Sequence, residues 1–452
     1  MVCNSKLPVQ WKKVCVVGAG MAGLAAAREL RREGHAVRVL EQGGDVGGQW
    51  RYDPRTDGDD PLGAAPVRVH GSMYASLRLI SPREAMGFTD FPFVPSSGGG
   101  RDPRRFPGHR EVFHYLRDFC DAFGLMDAVR LNTRVLRVAV APRRQGPAGG
   151  EPKWVVRSVR VGERDDTDVQ EEVFDAVVVA NGDYSQPSLP TIKGMEVWRR
   201  RQLHSHSYRL PEPFRGDVVV MVGCSDSGQD IALDLIGVSR EVHLTAKSTE
   251  EATTPAMSKL LSKYANLHLH PQIEHLGEDG TVVFVDGSCV VADTVMYCTG
   301  YVYSFPFLET DGKVTVRDNR VGSLSFVGVP RKVPAPWFFE AQGKLVAQVL
   351  SGKRSLPPEE EMMRSVEEHY RAREAAGVPV KYTHELGSIE PLKYIEFGKK
   401  YCDFPRYEDW RREFVLSTIR NRDEDLETFR DQALDPSPLH ATGAAMASLA
   451  LN

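Results

Sequence analysis

Two stretches of the chain show the same order of apolar strand, glycine-containing turn and helix. In the first stretch, the apolar run 14–17 leads into a turn at 18–23 and a helix-forming segment at 24–30. A second strand, 36–40, follows and ends at Glu41. This pattern predicts a β-strand and a tight turn, followed by an α-helix that returns the chain to a neighbouring strand.

The turn of this first unit has glycine at positions 18, 20 and 23. Gly18, Gly20 and Gly23 allow a tight turn, close approach of a pyrophosphate to the helix N-terminus, and close packing of helix on strand. Glu41 lies 23 residues after Gly18, where such units place a carboxylate that binds a ribose. The glycines alone would also fit a plain turn, but together with the strand, the helix and the acid they predict a dinucleotide site.

The same order recurs between residues 217 and 244. Its turn, Gly223-Cys224-Ser225-Asp226-Ser227-Gly228, predicts a second dinucleotide site that uses Gly223, Ser225, Ser227 and Gly228. After its second strand the chain has Lys247 and lacks a carboxylate in the place of Glu41. Because a lysine can pair with a 2'-phosphate that a carboxylate would repel, we predict that this site binds NADP. The alternative is that Lys247 is a solvated surface residue.

Two further apolar strands, 175–179 and 293–297, each begin with aspartate and run into a small residue and a glycine. They bracket the second unit, so we interpret them as the two crossings of an inserted domain. The sequence therefore predicts an α/β fold in which a domain at 186–300 is inserted into a discontinuous domain. That domain would comprise 1–185 and 301–452, with a strand at 325–329 and charged helical segments towards the C-terminus.

Composition excludes several other classes of protein. The 452 residues are 41% hydrophobic and 26% charged, which is typical of a globular chain, and the net charge of -4 argues against nucleic acid as a partner. The seven cysteines form no close pair, so we predict neither a disulfide framework nor a metal site. Without a signal peptide or a transmembrane anchor, the chain is predicted to be cytoplasmic, or secreted if a signal has been removed. The sequence leaves open whether the chain forms a homo-oligomer.

Several motifs follow one another in order along residues 14–358. Besides the two turns they are Val46-Gly47-Gly48-Gln49-Trp50, Pro82-Arg83-Glu84-Ala85-Met86, Asp90-Phe91-Pro92-Phe93, Asn181-Gly182-Asp183-Tyr184-Ser185-Gln186-Pro187 and Tyr297-Cys298-Thr299-Gly300-Tyr301. In these motifs the chain resembles the flavin-containing monooxygenases, which are class B flavoprotein monooxygenases. The resemblance implies FAD in the discontinuous domain and NADPH in the inserted one. It also implies transfer of oxygen from a flavin C4a-hydroperoxide to a soft nucleophile, with no side-chain nucleophile or general base.

The stretch that identifies this family is matched by Trp198-x-Arg200-x-x-x-His204-x-x-x-Tyr208, with arginine where the family has glycine. Baeyer–Villiger monooxygenases resemble the same plan but end this stretch in tryptophan, which favours amine or sulfur oxygenation here. Disulfide reductases share the two-dinucleotide plan but need a cysteine pair beside the flavin. His204 and His206 could suggest a metal pair, but a structural role is favoured and we predict no metal.

The resemblance also implies further site residues. Gln49, Trp50 and Gln342 would lie near FAD, with core filling as the alternative for Trp50 and a surface helix position for Gln342. Arg209 would clamp the 2'-phosphate together with Lys247, or would instead pair with a carboxylate. Asn181 is a candidate to replace an asparagine that much of the family has at the position of Ile80, since isoleucine offers no hydrogen bond.

The function expected from the resemblance is NADPH- and O2-dependent oxygenation of a tertiary amine or alkaloid to its N-oxide, or of a sulfide to its S-oxide. The missing anchor makes the chain similar to soluble insect members, some of which are pyrrolizidine-alkaloid N-oxygenases and act in alkaloid detoxification. Two alternatives are an NADPH oxidase that produces hydrogen peroxide and a non-catalytic flavin-binding protein.

Overall fold

The computed structural model describes residues 11–96, 98–141, 153–162, 169–309, 323–386 and 396–432. Its strands are β1 (Lys13–Val17), β2 (Ala36–Leu40), β3 (Val129–Arg130), β4 (Thr133–Val140), β5 (Trp154–Arg160), β6 (Val169–Phe174), β7 (Ala176–Val179), β8 (Gln186–Pro187), β9 (Arg201–His204), β10 (Val218–Val222), β11 (Glu241–Thr245), β12 (Leu267–His270), β13 (Ile273–Leu276), β14 (Thr281–Phe284), β15 (Cys289–Val291), β16 (Thr294–Tyr297), β17 (Tyr301–Val302) and β18 (Leu324–Phe326). Its helices are α1 (Met21–Arg32), α2 (His109–Ala122), α3 (Asp226–Ile236), α4 (Thr249–Ala252), α5 (Pro255–Lys263), α6 (Ala335–Leu350), α7 (Glu359–Ala375), α8 (Phe397–Cys402) and α9 (Asp409–Glu424).

Two parallel sheets carry the two predicted dinucleotide units. In the first sheet the order is β18-β7-β1-β2-β3, and in the second it is β12-β11-β10-β16-β9. Every pairing within these two sheets is parallel. Parallel sheets covered by helices are the architecture of doubly wound α/β proteins, so the predicted fold class is confirmed.

The two units are built alike down to single hydrogen bonds. In each unit, the strand that leads into the glycine turn lies between the strand that follows the helix and an aspartate-led strand. Asp175 accepts a hydrogen bond from the backbone N–H of Lys13 at 2.8 Å, and Asp293 accepts one from Val218 at 2.8 Å. Asp175 and Asp293, which precede the corresponding strands β7 and β16, therefore hold the first residue of each central strand, β1 and β10, in place.

The second sheet is inserted into the first one. Its strands lie between residues 201 and 297, whereas the first sheet takes β7 from before this segment and β18 from after it. The two connecting segments run side by side, because β8 pairs with β17 in antiparallel orientation. The predicted insertion is thereby confirmed, while the boundaries at 185/186 and 300/301 stay predictions.

Two antiparallel sheets complete the fold, β4-β5-β6 beside the first unit and β13-β14-β15 beside the second. The segment 142–152 between β4 and β5 lies outside the described residues, as does the tail 441–452. The predicted strand at 325–329 is shorter and earlier, at 324–326. No helix in the described ranges is both long and apolar enough to cross a membrane.

Helix α6 lies directly against α1. An added Cβ at Gly343 of α6 would stand 2.9 Å from the Cα of Ala26, so only glycine permits this approach. Arg28 of α1 bonds Glu340 of α6, and both side chains are buried. Because α6 follows β18, this contact joins the part of the chain after the insertion to the first glycine turn.

Candidate functional site

The first turn requires glycine at two of its three positions. Gly18 has φ +103°, and a Cβ there would lie 2.5 Å from the carbonyl oxygen of Ala180. A Cβ at Gly23 would lie 1.9 Å from the carbonyl oxygen of Gly18. Strand, turn and helix therefore approach one another too closely for any side chain, and the N-terminus of α1 is left open at Gly20.

The second turn repeats this geometry. Gly223 has φ +114° and a Cβ there would lie 2.6 Å from the carbonyl oxygen of Cys298, while one at Gly228 would lie 2.1 Å from the carbonyl oxygen of Gly223. Ser225 occupies the N-cap position of α3 without a capping hydrogen bond from its side chain, Ser227 lies in the first turn, and both are exposed. Free backbone N–H groups and hydroxyls at a helix N-terminus are a suitable cradle for a pyrophosphate.

Glu41 lies at the carboxyl end of β2 beside the first turn. Its carboxylate accepts hydrogen bonds from the backbone N–H groups of Ala19 and Gly43, each at 2.7 Å. Burial raises the pKa of this carboxyl group, although the two N–H donors act in the opposite direction. The side chain is thus held rigidly where the sequence predicts a ribose, and that role stays a proposal.

The segment with Gln49 and Trp50 lies on the first turn. A Cβ at Gly48 would stand 2.8 Å from the Cα of Gly20, so the two glycine backbones are in contact. Trp50 is half-buried and packs against the hydrophobic core around α1, and Gln49 is also partly exposed. Both predicted roles of Trp50, flavin neighbour and core residue, fit this position.

Gln342 lies on α6, but it is not a free surface glutamine. Its Oε1 accepts a hydrogen bond from the backbone N–H of Gly328 at 3.1 Å, and Gly328 has φ +94°. Gln342 therefore fixes the loop that leaves β18. Asn181, two residues after β7, donates from Nδ2 to the carbonyl oxygen of Ser304 at 3.0 Å, and its backbone passes close to Gly18.

The hydrogen bonds of Arg209 do not fit its predicted role. Its guanidinium donates to five backbone carbonyl oxygens at 2.6 to 3.1 Å, those of Asp53, Arg55, Gly71, His206 and Tyr208. A guanidinium has five N–H groups, so none is left for a 2'-phosphate, and its partners include no carboxylate. The positive charge of Arg209 is evident from the sequence, whereas the carbonyl oxygens that surround it are evident only from the fold.

Lys247 is exposed two residues after β11. The backbone of Gly223 donates to Thr245 at the end of the same strand, at 3.1 Å, just as Gly18 donates to Leu40 at the end of β2. Thr245 thus corresponds to Leu40, and Lys247 lies one position beyond the counterpart of Glu41. The position fits a partner for a 2'-phosphate, without Arg209.

The family-identifying stretch links the second sheet to its surroundings. Arg200 donates to the carbonyl oxygens of Ala292 and Asp279, each at 2.8 Å, and so ties the segment before β9 to the β14-β15 side of the domain. His204 accepts a hydrogen bond from the backbone N–H of His206, whose own ring bonds the carbonyl oxygen of Val69 at 2.8 Å. The histidine pair is therefore engaged in structural hydrogen bonds.

Asp183, for which the sequence provided no role, forms a partly buried ion pair with Arg331. Arg331 also donates to the backbone carbonyl oxygen of Asp183 at 2.9 Å and lies over the rings of Tyr184 and Tyr303. Burial raises the pKa of Asp183, and the guanidinium opposes this shift. The pair joins the segment before the insertion to the loop after β18, a contact that sequence spacing could not reveal.

Ile80 lies at the junction of the two units and is 41% exposed. It lines a small cleft with residues from the start of α3 and from the C-terminal segment, namely Asp226, Gln229, Asp230, Leu233, Arg422, Leu426, Phe429 and Arg430. The position of the family asparagine thus borders the second dinucleotide turn and offers an apolar group there.

Comparison with known proteins supports this geometry. The model of the flavin-binding monooxygenase-like family matches residues 11–261 and 258–397. "Flavin-containing monooxygenase FMO GS-OX-like 8" from Arabidopsis thaliana is 51% identical, over 98% of this chain and 96% of that protein.

Solved structures agree with this assignment. S-allyl-L-cysteine S-oxygenase from Allium sativum has a TM-score of 0.86 at 43% identity, over 98% of this chain and all of that one. Tmm from Pelagibacter sp. strain HTCC7211, at 22% identity and a TM-score of 0.74, covers 93% of both chains and shares the fold. The chain therefore belongs to the flavin-binding monooxygenase-like family, whose members are flavin-dependent monooxygenases with FAD and NADPH as cofactors.

Proposed function

We propose that this chain is an NADPH- and O2-dependent S-oxygenase that converts a thioether to its sulfoxide. The observation that carries the proposal is the likeness to S-allyl-L-cysteine S-oxygenase over 98% of this chain. Oxygenation of a tertiary amine or alkaloid is the second candidate, since amine nitrogen and thioether sulfur are both soft nucleophiles. The similarity to insect alkaloid N-oxygenases stays a prediction, since the relatives described above come from plants and a bacterium.

The residues of the two turns fit the two cofactors. Gly18, Gly20 and Gly23 leave the N-terminus of α1 open for the pyrophosphate of FAD, and Glu41 would accept a hydrogen bond from its ribose. Gly223, Gly228 and the exposed Ser225 and Ser227 would hold the pyrophosphate of NADPH. Gln49, Trp50, Gln342 and Asn181 would line the flavin.

FAD supplies the redox chemistry when bound, taking hydride from NADPH and activating O2. The protein's own task is to hold both cofactors and the sulfur in fixed positions and to exclude water. Asn181, oriented by Ser304, would present a fixed amide beside the first turn. The balance is one NADPH, one proton, one O2 and one thioether giving NADP+, water and sulfoxide.

The direct test is turnover of purified protein with NADPH, O2 and S-allyl-L-cysteine. We expect sulfoxide formation equal to NADPH consumption, with one oxygen atom from labelled O2 in the product. The analogue in which CH2 replaces sulfur should give no oxygenated product. Turnover only with a tertiary amine such as N,N-dimethylaniline would replace the S-oxygenase proposal by the N-oxygenase.

Ile80 bears on the competing oxidase function, because its apolar side chain lies at the junction of the two units. If this side chain does not protect the oxygenated form of the enzyme, NADPH will be consumed at the same rate with and without substrate, and hydrogen peroxide will be the product. We expect instead that substrate determines the rate, and that Ile80→Asn changes the ratio of peroxide to product without changing FAD content. A flavin that NADPH never reduces would indicate a non-catalytic flavin-binding protein.

Lys247 provides the test for NADPH over NADH. Replacing it by alanine should raise KM for NADPH by roughly fivefold, the equivalent of about 1 kcal/mol for an exposed charge pair, and leave KM for NADH unchanged. Lys259→Ala, an exposed lysine on α5 of the same unit, is the matched control. Equal effects on both cofactors would argue against a contact with the 2'-phosphate.

A further inference from the structure

Three histidines and one glutamate share one face of the second sheet. Glu241 and His243 alternate along β11, and His268 and His270 alternate along β12. The two strands are parallel, with His243 opposite His268. Because alternate residues of a strand point to the same face, the four side chains lie together on the face opposite to Val242 and Leu244.

The distances between these groups fit a metal ion. The Nε2 atom of His243 lies 3.0 Å from Oε2 of Glu241, and ligand atoms of Glu241, His243 and His268 lie within 4.8 Å of one another. Two ligand atoms of a tetrahedral zinc ion, each about 2.0–2.2 Å from the metal, are roughly 3.4 Å apart. Small side-chain adjustments would therefore place the three groups on one ion.

The surroundings of His243 resemble those of a metal ligand. Its other ring nitrogen, Nδ1, lies 3.0 Å from Nε2 of His270, and the ring of His270 stacks on Phe284 at 4.1 Å between centroids. A hydrogen bond to the second nitrogen typically orients a ligating histidine. His270 would thus be a positioning residue for His243.

The site opens to solvent on one side. The carboxylate of Glu241 is 41% exposed, so an ion can reach the site from solvent.

We infer that Glu241, His243 and His268 form a binding site for a zinc-type transition-metal ion, with a fourth position open to water. Two histidines and a glutamate are a known ligand set for zinc, whereas Mg²⁺ prefers oxygen ligands. The ion would fasten the edge strand β12 to β11. None of the three proposed ligands belongs to a glycine turn, so the inference does not depend on the proposed S-oxygenation.

The test is metal binding by the tag-free, FAD-loaded enzyme after treatment with a chelator and dialysis. Calorimetric titration with ZnCl2 should give one ion per chain, and titration with MgCl2 should give no binding. Bound zinc should remain through dialysis, as measured by elemental mass spectrometry, and should raise the melting temperature. Absence of stoichiometric zinc would overturn the inference whether or not the enzyme oxygenates a thioether.

Substitutions of single residues test whether Glu241 and His268 bind the zinc ion. Glu241→Gln and His268→Gln should each weaken zinc binding by more than the roughly 10–100-fold expected for His270→Gln, which removes only an orienting group. His275→Gln, which changes a half-buried histidine on the neighbouring β13, should bind zinc like the wild type. Flavin content and circular dichroism verify the fold of each variant. Unchanged affinity in Glu241→Gln and His268→Gln would overturn the assignment.

Discussion

Individual glycines determine the shape of the two glycine turns. Gly23 and Gly228 are both packed against the carbonyl oxygen of the first glycine of their turn, at distances that exclude a methyl group. Their φ values are not positive, so the requirement is one of space rather than of backbone conformation. The sequence pattern therefore reports a contact between helix and strand that is the same in both units.

Gly228→Ala is expected to abolish NADPH binding or weaken it by at least tenfold, because a Cβ 2.1 Å from the carbonyl oxygen of Gly223 must displace α3. The measurement is the rate of anaerobic flavin reduction as a function of NADPH concentration. Gly237→Ala, at the end of the same helix, has no atom within 4 Å of the new Cβ and should behave like the wild type. Equal binding by both variants would contradict the argument.

Asp183 supports the fold rather than the chemistry. Asp183→Asn leaves the largely buried guanidinium of Arg331 without its charge partner, which is expected to destabilise the protein by about 3 kcal/mol. Urea denaturation followed by tryptophan fluorescence measures this loss. Glu309→Gln removes an ion pair with Arg137 that is 56% and 40% exposed, so it should cost much less stability than Asp183→Asn.

At the scale of elements, the C-terminal segment joins the two units. Arg430 donates to the backbone carbonyl oxygen of Leu79 at 3.0 Å and to Asp230 of α3 at 2.8 Å, while Arg422 donates to Asp226 at 2.6 Å. Tyr74 bonds the same Asp230 directly. Helix α3, which begins at the second glycine turn, is thus held in place by two distant parts of the chain, residues 74–79 and 422–430.

Arg430→Met should slow flavin reduction by NADPH without loss of FAD, because α3 loses one of its links to the first unit. Rapid-mixing absorbance under anaerobic conditions measures the rate, and the flavin-to-protein absorbance ratio measures FAD content. Arg420→Met, an exposed arginine on α9, is the matched control. An unchanged reduction rate in Arg430→Met would mean that this link does not position α3.

For the whole molecule, buried histidines couple stability to pH. Burial lowers the pKa of His204 to about 3 and also lowers that of His206, and both side chains are almost fully buried. The unfolded chain takes up protons near pH 6.5 that the folded protein does not accept. These groups therefore contribute full stability above pH 6.5, and that contribution is lost as the pH falls towards 3.

Lowering the pH from 7.5 to 5 should cost about 2 kcal/mol for His204 alone. Urea denaturation at several pH values measures the slope. His204→Asn keeps an acceptor for the backbone N–H of His206 but cannot titrate, so its stability should depend less steeply on pH, whatever its stability at pH 7.5. An equally steep dependence would show that other groups control acid unfolding.

The sequence alone determined the α/β fold, its insertion and the family. The signals were the glycine spacing of both turns, the acid at 41 and the repeated aspartate-led strands. These are local patterns of space and hydrogen bonding, so they can be recognised from neighbouring residues alone. What each polar side chain does was decided by the tertiary structure. Arg209 is surrounded by carbonyl oxygens from the segment 53–71, Asp183 is paired with a residue 148 positions away, and Glu241 meets His268 only across two strands. Partners so distant in sequence are brought together by packing, which the sequence pattern does not encode locally.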